Sequence, residues 1–166
     1  MKKQENEYYE IIKVKIEDLL RTKSKNFHLE ITANKKFSNK LKAEINKNRD
    51  IIFHFIKEAP PDITGFIKLS EYSSDFIVIE IKKDKIKLDN IYKTKKYADL
   101  FNSKYCFLIS LQPIPEEIKR LHKVTYNILS TISIYNAFVL VHFDERKNEI
   151  VEWYPENLFE KDLFWR

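Results

Sequence analysis

The chain has 166 residues, of which 43% are hydrophobic and 14% aromatic, so it can bury one sizeable core but is too short for two ordinary domains. Its single glycine excludes Gly-rich phosphate loops and dinucleotide fingerprints, and its single cysteine excludes an intrachain disulfide or a thiolate zinc cluster. The formal net charge is +5, and the sequence contains neither a run of membrane-spanning length nor an apolar signal core. We therefore expect one cytoplasmic domain over residues 1–166, without a membrane partner.

The beginning of the chain predicts one helix followed by one strand. Residues 5–22 predict a helix, although the spacing of Ile12, Val14 and Ile16 also fits the alternation of a strand. Residues 27–33 alternate apolar and polar side chains and predict the first strand of the core.

The segment 34–59 is longer than a simple hairpin connection between two core strands. Within it, residues 37–46 predict a helix, and the apolar run 51–56 could form an additional strand. The core helix is then either the one that carries Glu10 or the one that carries Glu44. We favour the helix with Glu10, because the first core strand follows it directly.

Two strands joined by a hairpin are predicted next. A Pro-Pro break precedes a strand over residues 61–67, which has Asp62 at its beginning, and a hairpin through residues 70–75 leads to a strand over residues 76–82. Strict alternation divides the last strand between two faces, with Ile77, Ile79 and Ile81 on one and Phe76, Val78, Glu80 and Lys82 on the other.

The second half of the chain predicts two helices and three strands. They are a helix over 88–102, a strand over 104–111, a helix over 116–135, and a hairpin of strands over 137–143 and 149–154. The strand over 104–111, in which Cys106 is expected to be a core residue, would pair in parallel because a helix connects it to the preceding strand. The sequence therefore predicts an α/β fold, a mixed central β-sheet flanked by helices, with an added C-terminal β-hairpin.

Glu80 and Lys82 leave one face of a predicted buried strand, where charges are costly unless each has a partner or holds a metal. A structural salt bridge is the simpler interpretation, since Glu-x-Lys occurs three times in the chain, but only this copy lies in an apolar strand. An antiparallel hairpin would bring Asp62 near Glu80. Two converging carboxylates repel each other, and Mg²⁺ or Mn²⁺ would relieve that repulsion, with Lys82 beside it to steady a water or a charged oxygen.

The order Pro61-Asp62, a gap of hairpin length, and Glu80-Ile81-Lys82 resembles the PD-(D/E)xK nuclease superfamily over roughly residues 26–110. The resemblance implies a three-layer restriction-endonuclease-like core and metal-dependent hydrolysis of phosphodiester bonds in DNA, in repair, recombination or restriction. It implies that Asp62, Glu80 and the backbone carbonyl of Ile81 hold Mg²⁺ or Mn²⁺. Lys82 would then orient the attacking water and stabilise the transition state.

Two further site residues are implied by the resemblance. In that superfamily a first helix often adds an acid near the metal, and Glu10 is the candidate here, with Glu7 as the second choice and a surface charge as the alternative. Some branches also carry Gln-x-x-x-Tyr on the helix that follows the Glu-x-Lys strand. Lys93 replaces the Gln in this sequence, so Tyr97 is either a site residue or a core aromatic.

Charge is distributed unevenly along the chain. Residues 82–104 contain eight lysines and three aspartates, a net of +5, whereas residues 144–166 contain seven acids and four bases, a net of −3. A basic surface beside the predicted site favours DNA as a partner, through phosphate contacts that depend on salt but not on base sequence. The candidate contacts are Lys83, Lys85, Lys87, Lys93, Lys95 and Lys96. A solvated helix face is the alternative.

The C-terminal segment is rich in aromatic residues, which would either pack over the domain or form a homodimer contact. These are Trp153, Tyr154, Phe159, Phe164 and Trp165. For the whole chain, three functions compete: an active metal-dependent nuclease, a catalytically inactive nuclease-fold module for DNA binding or assembly, and a protein-interaction domain in which the motif is coincidental. The complete set Asp62, Glu80 and Lys82 favours the first.

Overall fold

The computed structural model describes residues 3–160, which contain six strands and five α-helices. The strands are β1 (Phe27–Ile31), β2 (Ile63–Ser70), β3 (Ser73–Lys82), β4 (Tyr105–Ser110), β5 (Ala137–Asp144) and β6 (Glu149–Tyr154). The helices are α1 (Tyr8–Arg21), α2 (Asn39–Glu44), α3 (Ile51–Ile56), α4 (Leu88–Phe101) and α5 (Glu116–Thr125). Short 3₁₀ turns at Glu5–Glu7 and Lys47–Arg49 precede α1 and α3.

The six strands form one mixed sheet in the order of the chain. β1, β2 and β3 pair antiparallel, β3, β4 and β5 pair in parallel, and β6 returns antiparallel to β5. Parallel neighbours require a crossover, and the connections that contain α4 and α5 supply the two that are needed. The predicted α/β class, the mixed sheet flanked by helices and the C-terminal hairpin are therefore confirmed.

The two faces of the sheet bury two separate cores. α1 covers one face, and α2, α3, α4 and α5 cover the other. The alternation predicted for β3 is confirmed, because Ile77, Ile79 and Ile81 lie in the core under α1, whereas Phe76 and Val78 lie in the core under the other helices. Glu80 shares the face of Phe76 and Val78, so its carboxylate lies on the α4 side of the sheet.

The additional strand expected at residues 51–56 is wrong, since this run is helix α3. Ile52 and Ile56 are four residues apart and pack into the core, while Ile51 and Phe55 are exposed. That spacing belongs to a helix and not to a strand. An apolar run of six residues is too short for its composition alone to distinguish a helix from a strand.

Helix α5 is shorter than the predicted helix over 116–135. It ends at Thr125, and Tyr126 adopts a left-handed backbone with a φ of 59° while its N–H donates to the carbonyl of His122. The residues that follow include serines, threonines and asparagines, whose side chains compete for backbone hydrogen bonds and favour turns.

The sole glycine, Gly65, lies in β2 directly opposite Leu29 of β1. A Cβ atom added there would lie 2.0 Å from the carbonyl oxygen of His28 and 2.5 Å from Cδ2 of Leu29. Any side chain would therefore push β1 away from β2. The end of β1 is bonded to the start of β2, where the N–H of Thr32 donates to the carbonyl of Asp62 at 2.9 Å.

The aromatic residues near the end of the chain pack over the sheet as far as the structure describes them. Phe107 of β4 stacks with Phe159 and meets the edge of Trp153, with ring centroids 6.2 Å apart in both cases. Phe164 and Trp165 lie outside the described residues, and the homodimer stays a prediction. Cys106 is fully buried, as expected. Within residues 3–160, no helix combines the length and apolar character needed to cross a membrane.

Candidate functional site

The strand register places the two predicted acids opposite each other. Ile63 of β2 pairs with Ile79 of β3, so one residue beyond this pair Asp62 faces Glu80. The exposed fraction is 7% for Asp62 and 0% for Glu80, and within residues 3–160 they are the two charged residues that are buried. Two buried carboxylates on neighbouring strands repel each other, because little water is present to screen their charges.

Asp62 is held by two hydrogen bonds. The main-chain N–H of Ile81 donates to its Oδ2 at 2.7 Å, and the hydroxyl of Tyr9 on α1 is its second partner. Burial and the charge of Glu80 raise the pKa of Asp62 from 3.8 to about 7, although both hydrogen bonds and the ammonium of Lys82 act in the opposite direction. Near neutral pH this carboxyl group is thus partly protonated.

The two carboxylate oxygens of Glu80 have different surroundings. Oε1 accepts from Nζ of Lys93 at 2.6 Å and lies 3.1 Å from Nζ of Lys82. Oε2 is buried and has no hydrogen-bond partner among the described residues. Native proteins rarely leave a buried polar atom without a hydrogen bond, since this costs about 1–3 kcal/mol. A buried atom without a protein partner is commonly satisfied by a bound water or ion.

The backbone of Ile81 also faces Asp62. The carbonyl of Lys82 accepts from the N–H of Leu111, which follows β4, so the polar groups of Lys82 point toward β4. Successive residues of a strand point their backbone groups to opposite sides, and the N–H and carbonyl of one residue point to the same side. The carbonyl of Ile81 therefore points with its N–H toward Asp62.

These groups fit a hard divalent cation. Asp62, Oε2 of Glu80 and the carbonyl of Ile81 are oxygen donors, and Mg²⁺ is commonly bound by one or two carboxylates with water in the remaining positions. Across residues 3–160, no three His, Cys, Asp or Glu side chains gather in a way that could hold a metal. The donor set is thus two side chains and one main-chain oxygen.

The structure does not bring Glu10 to this site. Its side chain is 66% exposed and pairs with Lys13, because it lies on the outer face of α1. The second choice, Glu7, accepts instead from the N–H of Gln4. The acid that approaches is Glu5, whose Oε2 accepts from the N–H of Lys83 at 3.1 Å and whose Oε1 lies 4.0 Å from Nζ of Lys82.

Glu5 and Tyr9 were missed in the sequence analysis. Both lie four residues apart at the start of the first helical segment, so one face of that segment points at β3. The spacing of four residues between Glu5 and Tyr9 could have predicted that they share a face. Glu10 lies on another face of the same segment.

Tyr97 is both a core aromatic and a neighbour of the site. Its side chain is fully buried, and its hydroxyl donates to the carbonyl of Ala59 at 2.5 Å, which anchors the segment before Asp62 to α4. Nζ of Lys93 lies 5.8 Å from the centre of its ring, and Nζ of Lys96 lies 4.9 Å from it. Burial and the charges of Glu80 and Asp62 raise the pKa of Tyr97, so it stays protonated.

The six lysines predicted to contact phosphates have different surroundings. Lys93 is bound to Glu80, Lys83 donates to the carbonyl of Lys3, and Lys95 donates to the carbonyl of Asn127. Lys85, Lys87 and Lys96 are exposed. Burial lowers the pKa of Lys93, but the hydrogen bond and charge of Glu80 outweigh burial and raise it.

Together, the fold and these contacts define an α/β protein with a buried acidic pair at one end of its sheet and two lysines that contact the same oxygen of Glu80. Comparison with family models, with curated proteins and with solved structures finds no match to this chain.

Proposed function

We propose that this protein is a divalent-metal-dependent deoxyribonuclease with a PD-(D/E)xK site on a restriction-endonuclease-like core. The observation that carries the proposal concerns Oε2 of Glu80, which is buried next to the carboxylate of Asp62 and has no hydrogen-bond partner in the part of the chain that the structure describes. A bound cation would satisfy this oxygen and remove the repulsion between the two acids.

Several of the described residues would bind that cation or orient its ligands. Asp62, Oε2 of Glu80 and the carbonyl of Ile81 would bind Mg²⁺ or Mn²⁺. When bound, such a cation offsets negative charge on the scissile phosphate and makes a water more acidic. Tyr9 fixes the orientation of Asp62, and Lys93 occupies the other oxygen of Glu80, which leaves Oε2 for the cation.

Lys82 supplies the positive charge nearest to the reacting phosphate. Hydrolysis forms a bond between a water oxygen and phosphorus and breaks one P–O ester bond, while water loses a proton and the departing oxygen gains one. The ammonium of Lys82 remains partly accessible, with 20% of its side chain exposed, and can donate to the water and to a phosphoryl oxygen. Both contacts grow stronger as negative charge develops, which is the condition for catalysis.

One observation favours a second function, that of an inactive nuclease-fold module for DNA binding or assembly. Lys82 and Lys93 both contact Oε1 of Glu80, so the carboxylate has positive charge on that side without any metal. In such a module these lysines would complete a structural cluster, as buried charges require partners. The protein would then bind DNA without cutting it.

The test is incubation of single-stranded, duplex, flap and four-way DNA with Mg²⁺ or Mn²⁺, using the wild type, Lys82→Ala and Lys25→Ala. Lys25 is exposed and lies outside the site, so its variant controls for the lost charge. We expect cleavage by the wild type and by Lys25→Ala, and a loss of about a hundredfold or more in Lys82→Ala.

Two results would decide against a metal-dependent nuclease. Cleavage that persists undiminished in a chelator would remove the metal from the mechanism. A DNA mobility shift without cleavage under any divalent cation would establish the binding module instead.

A further inference from the structure

The connection between β1 and β2 forms a basic surface that the candidate site does not use. Residues 34–59, which contain α2 and α3, have seven basic and three acidic residues, a net of +4. One of the three acids, Glu44, is engaged elsewhere, because its carboxylate accepts from Nζ of Lys68 at 2.8 Å and from the hydroxyl of Ser74 at 2.6 Å. The positive charge of the connection is therefore largely uncompensated.

A cleft of about 620 Å³, which we name the insertion groove, opens on this surface. Its rim carries the lysines Lys35, Lys36, Lys42 and Lys57. Lys35 pairs loosely with the exposed Glu58 at 3.3 Å. The other three lysines make no ion pair with any residue between 3 and 160, so their charges face solvent.

Aromatic side chains line the groove between the lysines. The rings of Phe37 and Phe53 meet edge to face with centroids 4.9 Å apart, and His54 completes this side of the groove. Next to His54, the ring of Phe55 is 71% exposed. Lysines around aromatic faces are the composition that holds a single nucleic-acid strand, because phosphates pair with the charges and bases stack on the rings.

The insertion groove adjoins the candidate site. Both helices of the connection pack on the face of the sheet that carries Glu80, and the N–H of Ala33 donates to the carbonyl of Asp62 at 3.2 Å. Lys36 is three residues beyond Ala33, so their Cα atoms lie within about 11 Å of each other. The rim of the insertion groove therefore lies close to the main chain of Asp62.

We propose that the insertion groove binds single-stranded DNA and leads that strand to the acidic pair. This inference rests on the proposed nuclease function and adds the class of substrate, which is DNA with a single-stranded segment. Lys36, Lys42 and Lys57 contact successive phosphates, and the aromatic side chains accept bases of any sequence. The exposed lysines favour a polyanion with regularly spaced charges, and the rings of Phe37 and Phe53 on the wall of the groove favour one that carries bases.

The test measures binding of a fluorescent oligothymidine of about 20 nucleotides, by anisotropy in EDTA, over a series of salt concentrations. The groove variant combines Lys36→Ala, Lys42→Ala and Lys57→Ala. A matched control combines Lys25→Ala, Arg120→Ala and Lys123→Ala, which removes the same charge from exposed positions outside the groove and the site. A third variant changes the three groove lysines to Arg.

We expect the groove variant to lose at least about tenfold in affinity, and its plot of log affinity against log salt to become less steep by about 2, since each lost phosphate contact in a single strand contributes about 0.7. The affinity of the control variant and that of the Arg variant should each change by less than about threefold. Phe37→Leu, which keeps an apolar side chain on the groove wall but removes the ring, should weaken binding without altering the salt dependence, because a stacking contact carries no charge.

Three outcomes would overturn the inference: equal losses in the groove and control variants, tighter binding of a duplex of the same length than of oligothymidine, or equal competition by an oligoglutamate peptide. Cleavage by the wild type with Mn²⁺ is scored separately. If the wild type cleaves DNA and the groove variant binds oligothymidine as tightly as the wild type, only the proposal for the groove is overturned. If binding depends on the groove lysines but no DNA is cleaved, only the nuclease function is overturned.

Discussion

Nζ of Lys93 on α4 lies 2.6 Å from Oε1 of Glu80 on β3, so the crossover helix reaches directly to the buried carboxylate. Lys82 approaches the same oxygen at 3.1 Å, while Oε2 has no hydrogen-bond partner in residues 3–160. Positive charge is thus concentrated on one side of this carboxylate. Changes to the lysines and changes to the acids are therefore expected to have different consequences for stability and for cation binding.

Lys93→Ala should destabilise the protein in the absence of divalent cations. The variant loses a charge-assisted hydrogen bond to a buried carboxylate, and we expect the free energy of unfolding in EDTA to fall by about 1–3 kcal/mol. Urea denaturation measures the difference. Lys96→Ala, which removes an exposed lysine from the same helix, is the control, and an equal loss in both variants would contradict a role for the contact with Glu80.

Glu80→Gln should abolish stabilisation by Mn²⁺. The amide preserves the size of the side chain but lacks the negative charge that a cation requires at this position. For the wild type, Mn²⁺ at about a hundred times its dissociation constant should add about 2.7 kcal/mol to the free energy of unfolding. Thermal unfolding with and without Mn²⁺ measures this effect, with Glu149→Gln on β6 as the control. A wild type that does not respond to Mn²⁺ or Mg²⁺ would contradict the cation site.

The stability of the cation-free protein should fall as the pH rises from about 4 to about 7 through the contribution of Asp62. Its pKa is raised to about 7 in the folded protein. In the unfolded chain the pKa is about 3.9, so within this window the folded state binds more protons than the unfolded state. The loss from this group should be on the order of a few kcal/mol at most.

Thermal unfolding between pH 5 and pH 8 tests this dependence, with Asp62→Asn as the reference that cannot titrate. The wild type should lose stability relative to the variant as the pH rises. Mn²⁺ competes with the same proton, so its stabilising effect should be larger at pH 8 than at pH 5. Parallel pH profiles of the wild type and Asp62→Asn in EDTA would refute the raised pKa.

Gly65→Ala should destabilise the protein by more than about 3 kcal/mol, since the new methyl group would meet the backbone oxygen of His28 at 2.0 Å. β1 must move away from β2, which also disturbs the bond between Thr32 and the carbonyl of Asp62. Leu69→Ala, at an exposed position near the end of the same strand, is the control. Chemical denaturation of both variants gives the comparison, and a difference below about 1 kcal/mol would mean that β1 adjusts freely.

Local patterns were sufficient to predict the strands that build the site. The alternation of apolar residues in 76–82 assigned Glu80 to the correct face of β3, and the short hairpin fixed Asp62 as its neighbour. The parallel position of β4 followed from the helix that connects it to β3. Each of these inferences depends on residues close together in the chain.

The remaining features depend on how separate elements pack. Residues 51–56 are apolar enough for either a strand or a helix, and only the position of α3 over β2 and β3 decides between them. The contact of Lys93 with Glu80 depends on the angle at which α4 crosses the sheet. The spacing of residues along the helix does not predict this angle. Glu10 failed as a candidate for a similar reason. The orientation of α1 turns Tyr9 toward Asp62, and the 3₁₀ turn before α1 places Glu5 against the main chain of Lys83.

The hydrogen bond between Thr32 and Asp62 joins the two ends of the β1–β2 connection, so the whole basic segment leaves the sheet and returns to it at nearly the same place. The acidic pair belongs to the sheet, and the lysine-rich cleft belongs to the segment outside it. The exposed lysines of this segment can therefore change while its buried residues Leu41, Ile52 and Ile56 keep their packing against the sheet. Under the proposed nuclease function, substitutions of these lysines would alter the preference for a substrate without altering the acidic pair.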